Sequence, residues 1–157
     1  HGGQDLRPKG NEQPETSAIM GWVRSSRMVA AINLHEGAVV ANYPWDGSVD
    51  RRTHIEATND DAAFRSLAST YARAHAFMHR SKEFPGGITN GAQWYPVYGG
   101  MQDFDYIVGG CMDITIELCM QKWPPATSLR QHFDDNRAAM IAMPLAAGYG
   151  GVRGVVR

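Results

Sequence analysis

The chain has 157 residues with a formal net charge of −1 at pH 7, and 43% of its residues are hydrophobic. This length suits one domain with a core of its own. The near-neutral charge argues against nucleic acid as a partner, because there is no basic excess to neutralise phosphates. No apolar run approaches the roughly 18 residues of a membrane span. The first residues do not resemble a signal peptide, so the sequence alone does not indicate a compartment.

The first half of the chain predicts two helices separated by two strands. Pro14 suits the first turn of a helix, whose apolar face is expected to contain Ile19, Met20, Trp22 and Val23. Residues 28–34, MVAAINL, are nearly all apolar, which is typical of a central strand covered on both faces. Residues 38–43 predict a second strand. Residues 58–79 begin with an acidic turn and continue with apolar residues at helical spacing, which predicts a second helix.

The second half begins with a glycine-rich segment, residues 80–110, that has no clear period. An irregular segment of this length is usually functional or disordered, and its aromatic residues favour order. Residues 112–118 alternate as a strand. Ser128 is expected to cap a last helix that runs to about Met143, where Pro144 ends it. Apolar strands separated by helices predict an α/β sheet with helices on its faces.

The cysteines and one histidine pair are not expected to form a site. On a straight strand over 111–119, Cys111 and Cys119 would lie about 26 Å apart, which is too far for a disulfide. We therefore expect two free thiols. His75 and His79 stand four residues apart on the second helix and could chelate a metal. Because the glutamate of the HExxH motif is missing, a solvated helix face is the expectation.

Two residues at the ends of predicted strands are candidates for chemistry. His35 directly follows the apolar run, and ligands tend to bind at the carboxyl ends of strands in open α/β sheets. A hydrogen-bonded structural histidine is the alternative. Glu117 shares one strand face with Asp113 and Thr115. Buried beside a cation or a metal-bound water it would be a general base, whereas on a one-sided sheet it would face water.

Several segments, in order and with similar spacing, resemble the zinc metallocarboxypeptidases of the regulatory branch, which includes carboxypeptidases D, E, M and N. They are NLHEGAVVANYPWD (33–46), FPGGITNGAQWYPVYGGMQDFDY (84–106), DITIELCMQKWPP (113–125) and DNRAAMIAM (135–143), with QPET (13–16) and TNDDAAFRSLASTYA (58–72) fitting the same pattern. The resemblance covers nearly the whole chain from residue 13 onward. It implies an α/β fold with a mixed central sheet flanked by helices, lacking the N-terminal part.

The same resemblance implies a domain division. Residues 1–150 would be a partial carboxypeptidase catalytic domain, and residues 151–157 would begin the linker to an absent transthyretin-like domain. A missing N-terminal half would remove strands from the sheet and leave residues 28–34 as an exposed apolar edge.

The resemblance also implies site residues. His35 corresponds to the third zinc ligand, and Glu117 to the general base that acts on the zinc-bound water. Tyr95 corresponds to the mobile tyrosine that closes over the terminal carboxylate of the substrate. Asp46 and Gln102 correspond to the pocket that selects a C-terminal Arg or Lys, where a carboxylate would pair with the desolvated cation.

The implied activity is hydrolysis of C-terminal Arg or Lys from peptides and proteins, with one zinc ion, in a secreted or secretory-pathway enzyme. One departure stands against it, because the HxxE motif that supplies the first two zinc ligands is missing: His1 is followed by GGQ and His35 by EGA. We expect weak or no zinc binding by this chain alone. The alternatives are a non-catalytic, carboxypeptidase-like peptide-binding module and a partial sequence whose other half is encoded elsewhere.

Overall fold

The computed structural model describes residues 9–150. Its α-helices and strands are, in chain order, α1 (Pro14–Ser25), β1 (Ala30–His35), β2 (Val40–Tyr43), α2 (Asp61–Ala74), β3 (Ile88–Asn90), α3 (Gly91–Trp94), α4 (Met101–Phe104), β4 (Met112–Glu117) and α5 (Leu129–Tyr149). Short helical turns lie at Met78–Arg80, Pro85–Gly87, Asp105–Gly109 and Ala126–Ser128. Residues 151–157, for which a linker is expected, lie outside the described residues.

The four strands form one mixed sheet in the order β1-β4-β2-β3. β1 runs parallel to β4 and places His35 beside Glu117. β2 runs antiparallel to β4 and places Val40 on the other side of Glu117. β3 runs parallel to β2. The predicted α/β fold with a mixed sheet is therefore confirmed.

The two faces of the sheet differ in chemistry. Ile114 and Ile116 of β4 point into the hydrophobic core, where Phe64 and Tyr71 of α2 and Met143 of α5 are buried with them. Since side chains alternate along a strand, Asp113, Thr115 and Glu117 project to the opposite face. That face is covered by the glycine-rich segment, because Gln102 of α4 accepts a hydrogen bond from Thr115 N–H at 2.8 Å. Both faces are thus covered, one with apolar and one with polar side chains.

The prediction of a central strand at residues 28–34 is wrong. β1 is the first strand of the sheet and pairs with β4 on one side, and the described residues supply no strand for its other side. Val29 and Leu34 are exposed as a consequence. An apolar run shows that a strand is made for burial but not which strands are present to bury it. Within residues 9–150 the strand is instead an exposed apolar edge of the sheet.

Three helix predictions also need correction. Of the apolar face expected for α1, Val23 is buried and Ile19 and Met20 are half-buried, but Trp22 is exposed. α2 ends at Ala74 rather than near residue 79, because His75 has extended backbone angles. α5 does not stop at Pro144 but continues to Tyr149. A proline removes one N–H donor from a helix, and the following turn still packs on the core through alanines at 146 and 147.

The glycine-rich segment contains the strand β3, which was not predicted because the segment has no clear period. None of the helices within residues 9–150 is long and apolar enough to cross a bilayer.

Candidate active site

His35 and Glu117 end two neighbouring parallel strands and contact each other. Leu118 N–H donates to the carbonyl oxygen of His35 at 2.8 Å, which keeps the strand ends in register. His35 Nδ1 lies 3.1 Å from Glu117 Oε2. The Glu117 side chain is 6% exposed, whereas that of His35 is 57% exposed. Glu117 is therefore a buried acid in contact with an exposed histidine, and the alternative of a strand acid that faces water is wrong.

Burial shapes the acidity of Glu117. Burial raises the pKa of the Glu117 carboxyl, and the hydrogen bond and charge of His35 oppose that effect. A raised carboxyl pKa is the usual property of a catalytic acid or base that must exchange protons near neutral pH. With Glu117 ionised, His35 Nδ1 carries the proton that it donates to the carboxylate.

Tyr95 is an exposed residue near Glu117 and Asp46. Its ring packs against Trp94 with centroids 4.8 Å apart, and 51% of the residue is exposed. Burial raises the pKa of the Tyr95 phenol, and the charges of Glu117 and Asp46 add to that effect. Tyr95 is therefore an exposed phenol within the electrostatic reach of both acids.

Asp46 and Gln102 are in direct contact, and a third residue joins them. Gln102 Nε2 and Asn42 Nδ2 each donate to Asp46 Oδ1 at 2.9 Å. The amide oxygen of Gln102 accepts from Thr115 N–H at 2.8 Å. Gln102 thus ties Asp46 to β4, and Asn42 ties it to β2. Sequence reasoning missed Asn42, although an amide inside the short apolar strand VANY was a signal that could have identified it.

A glycine allows the main chain to approach Asp46. A Cβ atom on Gly91 would lie 1.9 Å from Asp46 Oδ1, so no side chain fits there. The chain around this contact is hydrogen bonded, since Ala92 N–H donates to Trp45 O and Val97 N–H donates to Asp46 O, both at 2.8 Å. The Asn-Gly step at the start of α3 therefore encloses the Asp46 side chain by backbone contact.

Two acceptor atoms in this buried group have no hydrogen-bond partner within the described residues. Both side-chain donors bind Oδ1 of Asp46, and no hydrogen bond to Oδ2 is found within the described residues. Asn42 Oδ1 is buried and lacks a hydrogen-bond partner in the same part of the chain. Burial, followed by the charge of Asp103, raises the pKa of Asp46 to about 7. A carboxylate in these surroundings favours a cationic, donor-rich partner.

The described residues do not by themselves fit a catalytic zinc site. Such sites use three protein ligands, and within residues 9–150 there is no group of three His, Cys, Asp or Glu side chains that could hold a metal ion. His35 is exposed and suitable as one ligand, but its Nδ1 is engaged by Glu117.

The remaining candidates have structural surroundings. His75 is buried, and its Nδ1 accepts hydrogen bonds from the N–H groups of Phe77 at 3.2 Å and Met78 at 3.1 Å. The prediction of a solvated face is therefore wrong for His75, because the chain turns back over the end of α2. Cys111 and Cys119 are both free, as expected, and both are buried.

Comparison with known proteins agrees with this architecture. The family profile described as zinc carboxypeptidase matches residues 4–139. The chain belongs to the zinc carboxypeptidase family. Among its relatives, carboxypeptidase SOL1 of Arabidopsis thaliana is 51% identical over 142 residues. The carboxypeptidase N catalytic chain of Rattus norvegicus is 42% identical over 158 residues, and carboxypeptidase D of the same species is 40% identical over 161 residues.

This zinc carboxypeptidase chain corresponds to only part of those relatives. The SOL1 match covers 90% of the chain but 29% of the relative. For carboxypeptidase N the shares are 94% and 34%, and for carboxypeptidase D they are 96% and 12%. A crystal structure of carboxypeptidase A from Helicoverpa armigera superposes with a TM-score of 0.69 at 14% identity, covering 90% of this chain and 36% of that one. The likeness to that structure shows the shared fold.

Proposed function

We propose that the protein to which this chain belongs removes Arg or Lys from the C-termini of peptides and proteins. The observation that carries the proposal is the buried carboxylate of Asp46, which is held in place through one oxygen only. A desolvated cationic side chain needs a fixed negative partner, and a fixed buried carboxylate is stabilised by a cation in return.

The geometry favours a guanidinium group as the best ligand. Arginine presents several N–H donors in a rigid planar fork. Asp46 Oδ2 and the unpartnered Oδ1 of Asn42 would accept from different nitrogens of that fork. A lysine ammonium would satisfy the charge of Asp46 with fewer fixed contacts. We therefore expect Arg to be preferred over Lys, and both to be preferred over neutral residues.

The reacting end of the substrate would lie at the ends of β1 and β4. There Glu117 would take a proton from the attacking water and deliver it to the leaving amine. Tyr95, exposed and near both acids, would close over the terminal carboxylate of the substrate. The zinc ion that the family implies would need His35 and two ligands that residues 9–150 do not group with it. Substrates of this kind occur in the secretory pathway and outside the cell, and we propose that the protein acts there.

A peptide-release assay tests the proposal. Matched peptides ending in Arg, Lys or Leu would be incubated with the protein, and the released residue measured. Arg and Lys should be released in preference to Leu, and a chelator should stop release. Glu117→Gln should lower turnover by about 10²-fold or more, the usual contribution of a general base. Full activity in Glu117→Gln, or equal release of Leu, would contradict the assignment.

A second candidate is a peptide-binding module without hydrolysis. The lack of a three-ligand metal group within residues 9–150 favours it. The same peptides distinguish the two. The module would bind the Arg and Lys peptides and lose that binding in Asp46→Ala, yet release no amino acid from any of them.

A further inference from the structure

A loop of mostly exposed residues, 47–55, directly follows Asp46, and its base is fixed. Trp45 N–H donates to the carbonyl oxygen of Glu56 at 3.1 Å, which joins the two ends of the loop. Glu56 N–H donates to Oδ1 of Asn90 at 3.1 Å, and Asn90 is fully buried. The loop therefore extends from a rigid base, and the order of its outer part depends on contacts within the loop.

His54 joins the outer part of this loop through both of its ring nitrogens. Nδ1 lies 3.0 Å from the carbonyl oxygen of Ile55, and Nε2 lies 2.9 Å from Oδ1 of Asp50. Oε2 of Glu56 lies 4.0 Å from the same Nε2. A carbonyl and an ionised carboxylate only accept hydrogen bonds, so both close contacts need an N–H. Because a neutral imidazole has one N–H and an imidazolium has two, the geometry fits the protonated ring.

The two carboxylates that face His54 also hold the main chain of the loop. Asp50 Oδ1 accepts from Arg52 N–H at 3.0 Å. Glu56 Oε2 accepts from Val49 N–H at 3.4 Å. A protonated His54 therefore connects the two acids that bind the backbone of the outer loop.

The charged groups around His54 favour its protonated form. Hydrogen bonding to the Ile55 carbonyl, followed by the hydrogen bond and charge of Asp50 and the charge of Glu56, raises the pKa of His54, and desolvation opposes that effect. Arg52 is the positive group near these acids, and its charge acts on Asp50. The His54 side chain is 44% exposed, so salt screens the charges and leaves the two hydrogen bonds as the main contacts.

The loop is also attached to the segment that carries Tyr95. Ser48 is fully buried, and its Oγ donates to the carbonyl oxygen of Arg52 at 2.7 Å. The carbonyl oxygen of Ser48 accepts from the hydroxyl of Tyr98 at 3.0 Å. The Arg51 guanidinium lies 5.5 Å from the centre of the Tyr98 ring. The loop thus contacts the chain three residues after Tyr95 and continues directly from Asp46.

We propose that His54, Asp50 and Glu56 form a proton-dependent clasp that orders residues 47–55 in acid and releases their outer part as pH rises. The contacts stabilise the imidazolium, so the ordered state is fully present below the ordinary histidine pKa of about 6.5. It is lost as pH rises through the higher pKa of the folded loop. In that step one ring nitrogen gives its proton to water and no longer donates to its acceptor.

Amide hydrogen exchange of the full chain, relative to the intrinsic rate at each pH, tests the clasp. The N–H groups of Val49 and Arg52 should be protected at about pH 5 and lose that protection at about pH 8.5. The N–H groups of Trp45 and Glu56, at the base, should keep theirs. In His54→Gln the protection of Val49 and Arg52 should no longer depend on pH. PH-independent protection of these two groups in wild type would overturn the inference.

An NMR titration of the His54 ring provides a second measurement. The midpoint should lie above about 6.5 in wild type and move down in Asp50→Asn, because one acceptor is then neutral. His79→Gln, at an exposed histidine outside the loop, should change neither this midpoint nor the exchange. A wild-type midpoint at or below 6.5, or one that Asp50→Asn leaves unchanged, would overturn the inference.

A regulatory role of the clasp at the pocket rests on the proposed function and has its own measurement. Agmatine, which carries a guanidinium group, should bind wild type more tightly than His54→Gln at about pH 5, by up to about fivefold, the range of an exposed ion pair. The two affinities should be equal at about pH 8.5. The same ratio at both pH values would overturn the regulatory role. Absence of agmatine binding by both proteins would contradict the proposed function, whereas the exchange and ring titration need no ligand.

Discussion

Replacing Asp46 with asparagine should make the protein more stable at neutral and alkaline pH. The folded chain raises the pKa of Asp46 from its ordinary value of 3.8 to about 7. Between those two values the folded state retains a proton that the unfolded chain releases. Stability is therefore lost as pH rises from about 4 to 7, and the loss persists above pH 7. Asparagine cannot ionise, so it removes this loss.

The size of the effect follows from the pKa. A pKa difference of one corresponds to about 1.4 kcal/mol, so a change from 3.8 to about 7 sets an upper value of about 4 kcal/mol. Loss of the charge on Oδ1 weakens the hydrogen bonds from Asn42 and Gln102 and offsets part of that gain. We expect Asp46→Asn to raise the free energy of unfolding by about 1–3 kcal/mol at pH 8 and to leave it nearly unchanged at pH 4.

Urea denaturation at pH 4 and pH 8 measures this difference. The midpoint should rise at pH 8 with an unchanged slope, which shows that stability and not the compactness of the unfolded state has changed. Asp134→Asn, at a partly exposed helix position, is the matched control and should change the free energy by less than about 0.5 kcal/mol. A destabilised Asp46→Asn at pH 8, or an equal gain at both pH values, would refute the reasoning.

Two further substitutions test the surroundings of the site. Gly91→Ala should destabilise the fold by about 1–3 kcal/mol or more in urea, because its Cβ would overlap Asp46. Gly21→Ala, with no atom within 4 Å of its Cβ on helix α1, should stabilise by about 0.5–1 kcal/mol. Burial lowers the pKa of His75, so the contribution of His75 to stability should fall as pH drops below about 6.5, opposite in sign to that of Asp46. The unfolding free energy of wild type relative to His75→Asn should therefore decrease below that pH, whereas the difference between wild type and His79→Gln should stay constant; the same pH dependence of both differences would contradict the assignment.

The strand that carries Glu117 could be predicted from the sequence because its signal is local. Ile114 and Ile116 alternate with polar residues, and this period fixes both the strand and the common face of Asp113 and Glu117. The family resemblance then indicated that Glu117, and not Asp113, corresponds to the general base. Whether Glu117 faces water or is buried depends on which other parts of the folded chain cover that face, and no local period contains this information.

The failed predictions have different physical causes, and the first is that position within a sheet is a non-local property. The apolar run before His35 predicts a strand made for burial, but sheet order depends on which other strands are present. β3 was missed because three residues are too few to show a period. α5 was predicted to end at Pro144 because proline tends to end a helix. Packing of the next turn on the core overrides that preference.

The polar face of the sheet explains why the glycine-rich segment matters more than its lack of a period suggests. A buried face with Asp113, Thr115 and Glu117 would be unstable under an apolar cover, because buried acids need donors or protons. The segment supplies donors such as Gln102, and glycine at position 91 lets the backbone come close enough to enclose Asp46. It also brings the buried acids Asp103 and Asp105. Asp46 is costly to enclose because burial raises its pKa, and in the proposed function the same buried carboxylate selects a basic side chain.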